Sequence, residues 1–250
     1  MSSTRTGDER RALVALGVAV AVLVVGIVVG LMLLTQGDGD EGPTPVAAED
    51  GSAELLPGRG PQAPVLLPDP GAYVEAVVQP DGSVEVTHWL RPAEGVDALT
   101  VRAYPTSQVP GPASVTDLAV RTGLGEVRLS EPFTSGTTPG TVPLVRSSLL
   151  VELTYTLDGV TDVNGSVAGR ALVDSVLADV DYEAEQGETR VELRGRRILQ
   201  LACSPEDGGV ADQRSCGAPR EGGWVANLAP RQLDDKVLAQ VDLTAPSGRS

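Results

Sequence analysis

The sequence predicts an all-β extracytoplasmic domain, a β-sandwich or open barrel of about ten strands, behind a single transmembrane α-helix and a disordered Pro/Gly/acidic linker. Three observations carry this expectation. Residues 12–34 form an uncharged apolar run. Residues 35–70 are dominated by Pro, Gly and acidic side chains. From 71 to 245 the pattern alternates with period two, and turn residues break it at short intervals.

The apolar run, ALVALGVAVAVLVVGIVVGLMLL, holds 23 residues without a charge, a Pro or a polar side chain. At about 1.5 Å rise per residue it is roughly 34 Å of helix, enough to cross a bilayer core about 30 Å thick. Arg5, Arg10 and Arg11 precede it, and no Lys or Arg follows it until Arg59. Basic residues near a span stay on the cytoplasmic side. The tail over 1–11 is therefore expected inside and the remaining 216 residues outside. The run is longer than the 7–15 residues or so of a secretory core, so it reads as an uncleaved signal anchor in the cell membrane. Gly26 and Gly30 form a small-xxx-small step, a candidate face for self-association of the helix.

By composition, the 36 residues of the linker include 7 Pro, 6 Gly and 7 Asp or Glu. Such a segment buries too little apolar surface to offset its ordering entropy. It is expected to act as a stalk, although Leu55-Leu56 and Val65-Leu66-Leu67 offer points where it can dock on the domain.

The net charge is -15; removing the tail, with 3 basic and 2 acidic residues, leaves -16 outside. That argues against nucleic acid and against anionic lipid as partners, since both require a basic face. The two cysteines, Cys203 and Cys216, both lie outside, 13 residues apart. An oxidising compartment favours a disulfide between them, worth about 3 kcal/mol in the chain-entropy model. Two thiols and one distant His make a poor zinc site.

The folded domain is expected to begin with a hairpin, Ala72–Gln79 and Ser83–Arg91 around Pro80-Asp81-Gly82. In its second strand Val84, Val86, His88 and Leu90 share one face; Glu85, Thr87, Trp89 and Arg91 share the other. Strands follow over Val96–Tyr104, Val115–Arg121, Gly125–Leu129 and Ser148–Leu157, with a turn over Thr134–Gly140. Val176–Ala184 and Thr189–Leu201 read as a second hairpin across Gln186-Gly187. In that reading a row of Asp179, Asp181, Glu183 and Glu185 faces Arg190 and Arg194. Trp224–Leu228 and Lys236–Thr244 close the domain, and residues 246–250 fray.

Catalytic motifs are sparse. His88 is the chain's one histidine and sits among valines, so it reads as a core residue and not as the base of a triad. The alternating carboxylates of 179–185 lack the glycine that a calcium loop needs at its sixth position, where Ala184 stands. Glu206-Asp207-Gly208-Gly209 with Asp212 forms a second acidic loop. Trp89, flanked on its face by Glu85 and Arg91, is the candidate binding surface. No catalytic, cofactor or metal site is assigned. The expected function is a non-enzymatic envelope protein whose β-domain binds or organises an envelope protein or glycan. The rival expectation is an envelope hydrolase that uses paired carboxylates.

Overall fold

In the computed structural model the described residues are 54–56, 60–106, 109–137, 139–163, 167–195 and 197–244. The apolar run 12–34, with Gly26 and Gly30, lies outside them, as do the tail and residues 246–250. Among the described residues no helix is long and apolar enough to cross a membrane.

The strands, in chain order, are β1 (Glu54–Leu56), β2 (Gly71–Val78), β3 (Val84–Arg91), β4 (Val96–Arg102), β5 (Ser114–Thr122) and β6 (Gly125–Arg128). Then come β7 (Phe133–Thr134), β8 (Gly140–Ser148), β9 (Val151–Asp158), β10 (Thr161–Asp162), β11 (Arg170–Val173) and β12 (Asp179–Asp181). The last are β13 (Glu188–Gly195), β14 (Arg197–Pro205), β15 (Arg214–Ser215), β16 (Ala218–Arg220), β17 (Gly223–Leu228) and β18 (Asp235–Asp242). Two single-turn 3₁₀ helices, Val210–Asp212 and Pro230–Gln232, are the helical elements among the described residues. The domain is all-β, as its alternation predicts.

The strands form three sheets. The largest has ten strands, ordered β1-β6-β5-β9-β3-β2-β13-β17-β16 with β7 added beside β5. A five-stranded sheet runs β10-β11-β18-β14-β15, and a three-stranded sheet runs β12-β4-β8. Their inward faces share one hydrophobic core. Val74, Val86 and Leu153 come from the first sheet, Leu201, Val237 and Val241 from the second, and Leu99 and Val101 from the third.

The first hairpin forms in the expected register, with Ala72 opposite Leu90 and Val78 opposite Val84. Its turn is fixed by Asp81, whose carboxylate accepts from the Ser83 backbone N–H at 3.0 Å and from its hydroxyl at 2.8 Å. Val84, Val86, His88 and Leu90 are all buried.

The second predicted hairpin is corrected. Only Asp179–Asp181 is strand, and it pairs with β4. Beyond Gln186-Gly187 the chain does not fold back on that strand. It enters β13, which runs parallel to β2 and antiparallel to β17. Gly187 lies hard against the chain at the start of β2: a Cβ on it would lie 2.0 Å from the Pro70 carbonyl oxygen. The glycine serves a close backbone approach at the start of β13, and not a tight reversal. The predicted run Thr189–Leu201 is also two strands. At Gly195, φ is +104° and the chain leaves the ten-stranded sheet for the five-stranded one.

β8 is a strand that the sequence hides, because Pro143 interrupts it. Pro lacks the N–H that a central ladder needs, but it is tolerated at an edge, and β8 is the edge of its sheet. Before the domain proper, β1 pairs with β6, placing Leu55 opposite Val127. Leu67 is buried, while Val65 and Leu66 stay exposed. The end of the Pro-rich stretch therefore lies along the domain.

Cys203 of β14 and Cys216 form a disulfide, with their Cα atoms 5.6 Å apart. The loop that it closes is tied down twice more. Arg214 pairs with Asp235 at the start of β18, and Glu206 pairs with Arg102 of β4 at 2.7 Å.

Candidate functional site

A cavity of about 230 Å³ lies where β3, β4, β12 and the start of β13 meet. Ala72, Leu90, Leu177 and Leu228 are among its lining residues. Its polar groups are His88, Arg102, Tyr104, Asp179, Asp181, Tyr182, Gln186, Thr189 and Asp234.

Strand register builds the acidic side of the cavity. Asp179 lies directly opposite Arg102, and Asp181 opposite Thr100. Arg102 Nε and Nη2 both donate to Asp179 Oδ2, at 3.1 and 2.7 Å. The same guanidinium donates to both Glu206 oxygens, at 2.7 and 3.0 Å. One arginine thus holds two carboxylates from distant parts of the chain. Burial pushes the Asp179 carboxyl above its ordinary range, and Arg102 opposes that shift. Asp181 accepts from the Tyr182 backbone N–H at 2.8 Å and from the Gln186 amide at 2.9 Å. The Tyr104 hydroxyl donates weakly to the Leu233 carbonyl, at 3.4 Å, and burial raises it well above its usual range.

His88 enters from the ten-stranded sheet. It is 4 % exposed, and its Nδ1 has no hydrogen-bond partner among the described residues. Burial lowers the imidazole to about 4, so the ring is neutral at pH 7.

Trp89, Glu85 and Arg91 lie on the other face of β3, away from this cavity. The Trp89 indole N–H donates to Glu152 at 3.1 Å, and its ring stands 5.7 Å from that of Tyr73. The Tyr73 hydroxyl donates to Glu192 at 2.5 Å; burial and that carboxylate push it up to about 12. Arg121 continues the row, 2.6 Å from Glu152 and 2.7 Å from Glu126. Trp89 is therefore half-buried within a cross-strand polar ladder. Arg91 reaches Asp69 at 3.6 Å. Glu85 borders a shallower recess of about 320 Å³ with Glu75, Thr87 and Asp117. Of Trp89, Glu85 and Arg91, Glu85 lines this recess and the other two do not.

Of the acidic motifs, Glu206 is held by Arg102, and Asp212 accepts from the Gly209 backbone N–H at 2.9 Å, closing its own turn. Among the described residues no three His, Cys, Asp or Glu side chains are grouped to hold a metal ion. Sequence reasoning missed Arg102, Tyr104, Tyr182 and Gln186 as cavity residues. Their one trace was the Asp179–Asp181 alternation, which carries no sign that it borders a recess.

No protein-family model matches the chain, and no curated protein matches it. Among solved structures, an aminopeptidase N family protein from Idiomarina loihiensis is similar over 68% of this chain and 29% of its own, with 10% identity and a TM-score of 0.34. An M1 zinc metallopeptidase from Deinococcus radiodurans is similar over 68% of this chain and 42% of its own, with 11% identity and a TM-score of 0.26. The chain spans less than half the length of either. Likeness at this level is not enough to establish a shared fold or activity.

Proposed function

We propose that the chain is a non-enzymatic, single-pass envelope protein: a cytoplasmic tail, a signal-anchor helix over 12–34, a stalk, and an extracytoplasmic β-domain that binds or organises a partner in the cell envelope. The observation that carries the binding role is the inter-sheet cavity of about 230 Å³, lined by Asp179, Asp181, Asp234 and Arg102 beside Leu90 and Leu177. The Cys203–Cys216 disulfide supports an oxidising location. Among the described residues no Ser or Cys lines the cavity, and His88 makes no hydrogen bond that would set it up as a base.

The rival reading, hydrolysis by paired carboxylates, draws on one observation: the half-buried Asp179 carboxyl has its affinity for protons raised, beside Asp181. Against it, Oδ2 of Asp179 is occupied by two Arg102 donors. One experiment separates the two readings. The full-length chain, purified in detergent, is offered solubilised envelope material and separately incubated with cell-wall glycan and peptides. Specific co-purification of an envelope component, with the substrates intact, supports the binding module. Turnover that disappears in Asp179→Asn overturns it in favour of the hydrolase.

A further inference from the structure

We propose that Lys236 and Asp174 join through an amide bond between their side chains, an intramolecular isopeptide cross-link inside the β-domain. The inference stands apart from the binding role and from the cavity between the sheets. Three observations converge on it.

First, the two side chains are sealed in the core and held in contact. Lys236 and Asp174 are each 1 % exposed. Lys236 Nζ lies 3.8 Å from Asp174 Oδ2 and donates to the Pro105 carbonyl at 3.2 Å. The backbone fixes both partners. Lys236 stands within β18, opposite Ser204 of β14, and the Asp174 N–H donates to the Val160 carbonyl at 2.7 Å. Next to them the Val176 N–H donates to the Val237 carbonyl at 2.9 Å. Holding two reacting groups together replaces a bimolecular encounter, and effective molarities for well-oriented pairs reach about 10⁵–10⁸ M.

Second, the setting favours the amide over the ions. The 3.8 Å separation is longer than the roughly 2.7–2.9 Å of a hydrogen-bonded ammonium–carboxylate pair, so the contact is a loose ion pair. In water, solvation of the two ions holds amide formation back. In the core the ions are the costly state, because both have left water. The amide is neutral, and its N–H keeps the Pro105 carbonyl as acceptor.

Third, the choice of residue is specific. Lys236 is the chain's one lysine among 19 basic residues. A guanidinium stays protonated in proteins and offers no lone pair, whereas a deprotonated lysine amine is a nucleophile. The single position at which this chain uses lysine is the one buried against a carboxyl group.

The step balances within the pair. One proton passes from the Nζ ammonium to the Asp174 carboxylate, giving an amine and an acid. The Nζ lone pair then forms a bond to Cγ. A second proton moves from the nitrogen to the protonated oxygen, whose bond to Cγ breaks as one water leaves. The third proton stays as the amide N–H. Nothing is oxidised or reduced, and no co-reactant enters. The bond ties β18 to the segment that leaves β11, in the sheet whose β14 carries Cys203 of the disulfide.

Mass spectrometry of the full-length chain, purified in detergent and reduced, tests the proposal. The expected mass is one water below that of the sequence. Trypsin should leave Lys236 uncut and yield peptides 171–190 and 232–249 as one branched species. Lys236→Arg keeps a cation but has no amine to acylate; it should regain the water and release peptide 171–190 unbranched. A full sequence mass, with cleavage after Lys236, overturns the cross-link and leaves an ordinary buried ion pair. Loss of water without the branched species, as a succinimide at Asp174-Ser175 would give, overturns it too. Every readout is a covalent mass, so a folding defect in the variant does not obscure it, and the envelope co-purification decides the binding role separately.

Discussion

His88 on β3 and Asp179 on β12 belong to different sheets, yet they line one cavity. Neither residue's sequence neighbourhood announces the other. The alternation of β3 buries His88 as a core residue, and the β4–β12 register sets Asp179 against Arg102. The meeting of the sheets turns a core histidine and a strand carboxylate into two walls of one recess.

Stability should fall with pH through His88. Its folded form titrates near 4, below the unfolded value of about 6.5. As pH drops through 6.5 the unfolded chain takes up a proton that the folded chain refuses, so folding weakens until about pH 4 and then levels off. The full effect is roughly 3 kcal/mol. Carboxylates titrate in the lower part of this window, so the measurement is the difference in unfolding free energy between wild type and His88→Leu from pH 7 to 4. A widening gap against the wild type is expected; parallel curves would show that His88 is not held neutral.

Arg102 joins β4, β12 and the cysteine loop. Arg102→Met should cost about 1–3 kcal/mol, the loss of half-buried charge-assisted hydrogen bonds. Hydrogen exchange should quicken at Asp179–Asp181 and around Glu206. Unchanged exchange at both places would show that the arginine does not tie them together.

Gly187→Ala should destabilise by more than about 2 kcal/mol, because the new methyl group meets the Pro70 backbone. Gly123→Ala is the control: a Cβ there would have nothing within 4 Å, so it should be neutral or stabilising by up to about 1 kcal/mol. Chemical denaturation of the two variants checks the contrast.

Reducing the Cys203–Cys216 bond, or replacing both cysteines with alanine, should lower stability by about 3 kcal/mol. Non-reduced protein taken directly from cells should not react with a thiol reagent. Labelling of both cysteines without reductant would contradict an outside location.

Much of the all-β fold was legible from period-two burial. The β2–β3 hairpin, the central β9 and the closing strands β17 and β18 follow from alternation and turn residues. What was not legible was long-range partnership. Val176, Ala178 and Val180 are buried as the pattern demands, but alternation sets which face is inward and not which strand lies alongside. The local carboxylate and guanidinium rows suggested a pairing that does not form, because β12 pairs with β4 and β13 with β2 and β17. Instead, Arg194 turns to Glu192 at 2.7 Å and Glu75 at 3.4 Å. The candidate site was less legible still, because Arg102, Tyr104 and Gln186 acquire a shared role only when two sheets meet.

The central claim is that this β-domain stands outside the membrane on an uncleaved apolar helix. Its most direct test is protease added to intact cells stripped of any outer barrier, with a cytosolic protein as the integrity control. The account predicts that the domain is shaved off while the control survives. Full-length chain persisting until the cells are lysed would contradict it.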